Sequence, residues 1–134
     1  MIGTTGSRIN GVRVPSSLTT PEAPDLQRLF ATMRDDGVHR IVMEVSSHSL
    51  LLGRVGGTRF RIGAFLNLSQ DHLDFHHTME EYFQAKARLF TKDSGTCCDR
   101  AVICIDDSWG LRMRDIAEAS GCTPVTVSTT GNAD

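Results

Sequence analysis

The side chains best suited to chemistry crowd into Asn67-Leu68-Ser69-Gln70-Asp71-His72-Leu73-Asp74-Phe75-His76-His77, where three histidines and two aspartates fall between Asp71 and His77. Such density raises three readings. A tight zinc centre of the di-zinc hydrolase kind wants H-x-H-x-D-H, and this stretch reads D-H-x-D-x-H-H instead. Mg²⁺ asks for less: one or two protein ligands, the rest being water and substrate phosphate. The third reading is a polar loop with capping acids and solvated histidines. A second candidate is Glu44, which ends the apolar run Ile41-Val42-Met43. A carboxylate there is expected to be partly buried, so it needs a cation, either a metal or a nearby arginine. A third is Lys86, flanked by Ala85 and Ala87, with Tyr82 four residues before it and Leu89 and Phe90 three and four after. Those spacings put the apolar groups on its side of a helix. Such a lysine either snorkels its ammonium to water or, at a metal site, carries a modified amine.

The elements that must position these groups follow from local signals. Asn10-Gly11 between Arg8-Ile9 and Val12-Arg13-Val14 predicts a hairpin with a type I′ turn. Gly3-Thr4-Thr5-Gly6-Ser7 begins like a phosphate loop and lacks the G-K-[ST] ending. Thr19-Thr20-Pro21-Glu22-Ala23-Pro24 predicts a helix start with a threonine cap, an early proline and early acids. Leu26, Leu29, Phe30 and Met33 form its apolar stripe, and Gly37 ends it. Residues 40–45 read as a short buried strand, 46–52 as a brief helix stopped by Gly53, and 61–68 as a second buried strand. Thr78-Met79-Glu80-Glu81 is a capping box opening a helix to about Phe90. Residues 100–105 read as a third strand, Asp107 caps a helix ending near Gly121, and 123–128 read as a last strand. The strands lack period-two alternation and alternate with helices. The expected fold is therefore α/β: a mostly parallel sheet flanked by helices on both faces, with a small hairpin near the N-terminus. Ligands of such sheets bind outside the carboxyl ends of the strands. If the strands before Glu44 and before Asn67 are neighbours, Glu44 and His72 face one crevice.

The chain has 134 residues, 40% hydrophobic and 22% charged, which suits one folded domain rather than disorder. A net charge of −2 gives no electrostatic reason for nucleic acid or an anionic membrane as partner. No apolar run is long enough to span a bilayer, and no secretion signal is visible. Cys97, Cys98, Cys104 and Cys122 form no C-x-x-C pair, and adjacent Cys97 and Cys98 do not bridge easily, so unpaired thiols in a reducing cytoplasm are expected. The polar stretch 128–134 is expected to fray.

With these segments in order, the chain resembles the Mur ligases, and within them the UDP-N-acetylmuramoyl-tripeptide synthetases (the MurE type). The resemblance is carried by Thr19-Thr20-Pro21-Glu22-Ala23-Pro24-Asp25-Leu26-Gln27, Val42-Met43-Glu44-Val45-Ser46-Ser47-His48, Gly53-Arg54-Val55, the stretch 67–76, and Tyr82-Phe83-Gln84-Ala85-Lys86-Ala87-Arg88-Leu89-Phe90. Five segments in register are specific where one would be weak. The resemblance covers about Gly3 to Gly110. It implies an ATP-dependent ligase of peptidoglycan synthesis. Its partners are ATP, a UDP-muramoyl dipeptide and an amino acid, meso-diaminopimelate or lysine, joined through an acyl phosphate. It implies Mg²⁺ ligands at Glu44 and His72, and a carbamate on Lys86 that helps hold the ion. It implies substrate contacts at Thr19, Thr20, Ser46 and Arg54, whose guanidinium fork suits phosphate or carboxylate. Asn67, Asp71 and His48 lie in the same motifs without an assigned role. Ser49, Leu52 and Leu66 depart from residues common in the family.

By the same resemblance, residues 1–134 are expected to form one partial domain, the central ATP-binding domain without its phosphate loop, and the C-terminal ligase domain is absent. A chain of that extent is expected to be inactive alone and to self-associate through an exposed sheet edge. A related amide ligase such as folylpolyglutamate synthetase fits the Thr-Thr-Pro-Glu and Ser-Ser-His segments less well. The alternative from another class is a non-catalytic module binding a nucleotide sugar or a metal, or a folded remnant.

Overall fold

Asn10 and Gly11 sit at φ 48° and 86°, the paired positive values of a type I′ turn. They join β1 (Ser7–Ile9) to β2 (Val12–Val14) in an antiparallel hairpin with Ile9 opposite Val12. The computed structural model describes residues 1–131, so the last three residues of the polar tail lie outside the described residues. The chain divides into two compact units, Met1–Gly56 and Gly57 onward.

In the first unit, α1 (Ala23–Asp35) starts with Pro24 and Asp25 in its first turn and buries Leu26 and Met33. Leu29 and Phe30 are half-buried. The expected threonine cap is not made: Glu22 holds the cap position without a side-chain hydrogen bond. Gly37 ends the helix at φ 74°, as read from the sequence. Residues 40–45 depart from the expected buried strand. Met43 makes one isolated parallel bridge to Ile2, and Val42 is 74% exposed. A backbone paired along one side only has no flanking strand to cover its apolar residues. The short helix α2 (Ser47–Leu51) is capped by Ser46 and is followed by Gly53 at φ 71°.

The second unit runs β3 (Phe60–Phe65), α3 (Leu73–His76), α4 (Met79–Ala87), β4 (Cys98–Cys104), α5 (Ser108–Ala119) and β5 (Val125–Val127). Its sheet is parallel in the order β3-β4-β5, with Phe65 beside Ile103 and Ile103 beside Thr126. The capping residues act as expected: Thr78 Oγ1 accepts from Glu81 N at 3.1 Å, and Asp107 Oδ1 from Gly110 N at 2.8 Å. The turn α3 inside the polar cluster was not anticipated. Phe65, Ala101 and Ile103 are buried on one face with Met113 and Ala117 of α5. Ile62 and Val125 on the other face are about 60% exposed. The expectation of strands buried on both faces is thus corrected. Two right-handed crossovers stepping the same way across a sheet leave both helices on one side. Among the described residues no helix is long and apolar enough to cross a membrane.

The helix α4, which carries Lys86, is latched to α5. Arg112 donates both guanidinium arms to Glu80 at 2.8 and 2.9 Å, and its plane lies over Phe83 and Trp109 at 4.4 and 4.9 Å from their centroids. The Arg112 hydrogen bonds, then that from Gln84, pull the Glu80 carboxyl down to about 2. A depressed carboxylate stabilises the fold above its unfolded value of 4.5 and loses that contribution as pH falls towards 2. Glu80→Gln is therefore expected to flatten the acid limb of Tm against pH between those values. The effect is modest because both side chains are about half exposed. An unchanged acid limb in the variant would show that the latch adds nothing.

Candidate functional site

The residues singled out by sequence fall into two groups, one in each unit. In the first unit, Thr20 is buried and its hydroxyl ties its own segment to the backbone of residues 44–46. It donates to Glu44 O at 2.9 Å and accepts from Ser46 N at 3.2 Å. This is why it does not cap α1. Ser46 Oγ in turn accepts from Ser49 N at 3.2 Å, capping α2. Both hydroxyls are thus engaged in holding 44–49 in place. Thr20→Val keeps the side-chain shape and leaves a buried carbonyl and N–H without that partner. It is expected to cost about 2 kcal/mol, read as a fall in Tm, with Thr20→Ser close to the parent. A Tm unchanged by valine would overturn that structural role.

Glu44 differs from its expectation. Its side chain is exposed rather than buried, and no arginine pairs with it among the described residues. Thr4 holds it instead: Glu44 Oε2 accepts from Thr4 N at 3.0 Å and from Thr4 Oγ1 at 2.5 Å. Thr4 Oγ1 also lies 3.4 Å from Thr19 Oγ1. Gly3 permits the arrangement, because a Cβ there would lie 2.6 Å from Glu44 Oε1. Thr4 was missed as a positioning residue. Its only signal was the glycine-flanked Gly3-Thr4-Thr5-Gly6 turn, closed by Gly6 N donating to Gly3 O at 2.9 Å. Arg54 pairs through Nε with Glu22 Oε1 at 2.9 Å and is mostly buried, while Glu22 is half exposed. A bound phosphate or carboxylate would have to share or displace that partner. His48 lies on α2, and Asn67 is exposed after β3.

In the second unit the ring of Tyr82 is a platform. Lys86 Nζ lies over it, 4.9 Å from the centroid. His76 stacks on it at 4.9 Å and 21°, and His72 meets it edge-on at 5.9 Å. His72 takes a left-handed backbone, φ 54°, and its carbonyl accepts from Phe75 N and His76 N, which winds α3. Its N–H donates to Asp71 Oδ1 at 2.8 Å, and its Nε2 lies 3.4 Å from Asp71 Oδ2. Burial pushes the Lys86 amine below its ordinary value, and the Asp71 carboxylate opposes that in part. The same two influences, burial first, push the Tyr82 hydroxyl up. Asp71 thus acts on both groups, a role the sequence left unassigned.

Among the described residues no three His, Cys, Asp or Glu side chains gather into a ready-made metal centre, so the zinc reading of the histidine cluster gains no support. The donors suit a hard cation that keeps most of its own water. In the first unit Glu44 Oε1 takes no hydrogen bond among the described residues; in the second, taken by itself, Asp71 offers carboxylate oxygens beside His72. Lys86 fits such an ion only as an anion, since an ammonium would repel it.

Comparison with protein families matches residues 1–134 to the Mur ligase middle domain. A curated relative from Corynebacterium glutamicum, a UDP-N-acetylmuramoyl-L-alanyl-D-glutamate–2,6-diaminopimelate ligase, is 63% identical over 117 residues, covering 87% of this chain and 23% of the relative. A ligase of the same name from Streptomyces coelicolor is 47% identical over 134 residues, covering all of this chain and 25% of the relative. A solved structure of a ligase with that title superposes with a TM-score of 0.84 at 37% identity, over 99% of this chain and 27% of the other. The chain therefore spans about a quarter of the length of the relatives it matches.

Proposed function

This chain belongs to the Mur ligase family, lying within its middle domain, and on that premise we propose that it serves in an ATP-dependent ligase of peptidoglycan synthesis. The reaction joins meso-diaminopimelate to UDP-N-acetylmuramoyl-L-alanyl-D-glutamate. ATP phosphorylates the acceptor carboxylate, and the amine of the incoming amino acid attacks the acyl phosphate, releasing phosphate. The relatives' names support diaminopimelate over lysine as the amino acid. A cytoplasmic setting suits these substrates.

The observation that carries the reading is Lys86. Its half-buried amine lies over Tyr82, and burial favours the neutral form. A neutral amine adds to CO₂, giving a carbamate and releasing one proton, whereas an ammonium does not. We assign Lys86 that modification, and His72 and the Lys86 carbamate the role of Mg²⁺ donors on the second unit. Glu44 takes the same role on the first, its carboxylate aimed by Thr4. Bound Mg²⁺ supplies neutralisation of the charge that develops on the transferred phosphoryl group. Thr19 and Arg54 face the substrate. Thr20 and Ser46 shape that surface through the backbone their hydroxyls hold. Asp71 orients His72 and offsets the pull of burial on Lys86.

The test is a chimera in which this chain replaces the matching segment of the Corynebacterium glutamicum ligase. With ATP, Mg²⁺, the UDP-muramoyl dipeptide and diaminopimelate, it is expected to form the tripeptide with one ADP per turnover. A chimera that folds with the parent's Tm and yields no tripeptide would overturn the proposal.

A further inference from the structure

We propose that Cys97 and Cys122 form a reversible redox pair, a disulfide-forming modification site at the amino-terminal edge of the parallel sheet. Cys97 precedes β4 and Cys122 lies three residues before β5. The β4–β5 ladder begins with Val102 beside Val125, so both cysteines lie on the amino-terminal side of that pairing. The Cys97 and Cys122 side chains lie within hydrogen-bonding reach of each other. The two thiols also converge on one acceptor: Cys97 Sγ lies 3.3 Å from Cys98 O and Cys122 Sγ 3.8 Å from the same oxygen. Both residues are half-buried and so remain reachable.

The other two thiols are set apart from this pair. Cys98 is buried, and burial pushes its thiol up to about 11, so it is a poor nucleophile near neutral pH. Cys104 sits at the opposite end of β4. Ligands of parallel sheets bind at the carboxyl ends of strands, so this pair marks the edge away from the expected chemistry. A bridge there would tie the entry of β4 to the turn between α5 and β5 without occupying that region.

The oxidant is a low-molecular-weight disulfide, RSSR. One cysteine thiolate attacks a sulfur of RSSR; that S–S bond breaks, a mixed disulfide forms and RS⁻ leaves. The second thiolate attacks the protein sulfur of the mixed disulfide, forming the Cys97–Cys122 bond and expelling a second RS⁻. The two cysteine protons end on two RSH, so the protein loses two protons and two electrons and RSSR gains them. Burial, then the adjoining Cys122 thiol, push the Cys97 thiol above its ordinary value, so the exchange should quicken as pH rises.

The chain is incubated with glutathione disulfide at alkaline pH, alkylated and digested without reduction, with peptide fragmentation separating Cys97 from Cys98. The expected product is one cross-linked peptide joining Cys97 to Cys122, abolished by a dithiol reductant. In Cys122→Ser the expected product is a glutathione adduct that stops at Cys97. Separate adducts on Cys97 and Cys122 in the parent chain, a bridge to Cys98, or two unreacted thiols would each overturn the proposal.

Discussion

Lys86→Ala in the chimeric ligase is expected to lower kcat by about 100- to 1000-fold, the usual cost of removing one preorganised charge from a phosphoryl- or acyl-transfer site. The fold should survive, because Tyr82, Phe83, Ala85 and Ala87 hold α4 in place and the lysine itself is only half-buried. Two further measurements separate a carbamate from a plain cation. Formate is expected to restore part of the activity of Lys86→Ala, since a small carboxylate can occupy the space and charge the carbamate leaves. Lys86→Arg keeps a positive charge and cannot add CO₂, so it should be as impaired as alanine. Activity in Lys86→Arg near that of the parent would sink the carbamate role and leave Lys86 as a cation over Tyr82. A second signature is pH. The neutral amine adds CO₂ and burial already favours that form, so carbamate occupancy should climb with pH and begin climbing below the range of an exposed lysine.

What could be read from sequence divides by the range of the interactions involved. The turn at Asn10-Gly11, the caps at Thr78 and Asp107, and the glycine stops at Gly37 and Gly53 involve partners within a few residues, and all formed where read. Thr20 went astray because its hydroxyl partners lie at residues 44 and 46, which no local pattern announces. Burial failed for a similar reason. Ile41-Val42-Met43 and Ile62 are apolar enough for a core, yet whether neighbours cover them is a tertiary fact. Glu44 follows from the same error, since a carboxylate on an exposed segment needs no cation to offset lost hydration. The candidate residues were legible as types and motifs. Their coupling was not: neither Asp71 acting on Lys86 and Tyr82, nor Thr4 holding Glu44, has a signature in spacing.

Gly110→Ala is expected to destabilise the chain by at least about 3 kcal/mol, towards the upper end for an overpacked core, lowering Tm on the order of 10 °C. The sign is opposite to propensity. In an exposed helix the same change would stabilise by about 1 kcal/mol, because alanine is the better helix former. Gly110 is buried at the third position of α5, where a Cβ would lie 1.9 Å from Cys104 O and 3.0 Å from the Ile105 α-carbon. Those atoms are backbone, so no rotamer can relieve the contact. α5 would have to lift from β4, and Met113 and Ala117, both fully buried, would lose their packing. Asp107→Ala is the useful comparison, since it removes only the cap bond to Gly110 N and should cost about 1 kcal/mol. The order of the two variants in a thermal melt is therefore diagnostic. A Gly110→Ala chain at least as stable as the parent would mean that α5 does not approach β4 this closely. A large loss would reach the chemistry as well, because Arg112 on α5 latches Glu80 on α4, the helix that presents Lys86.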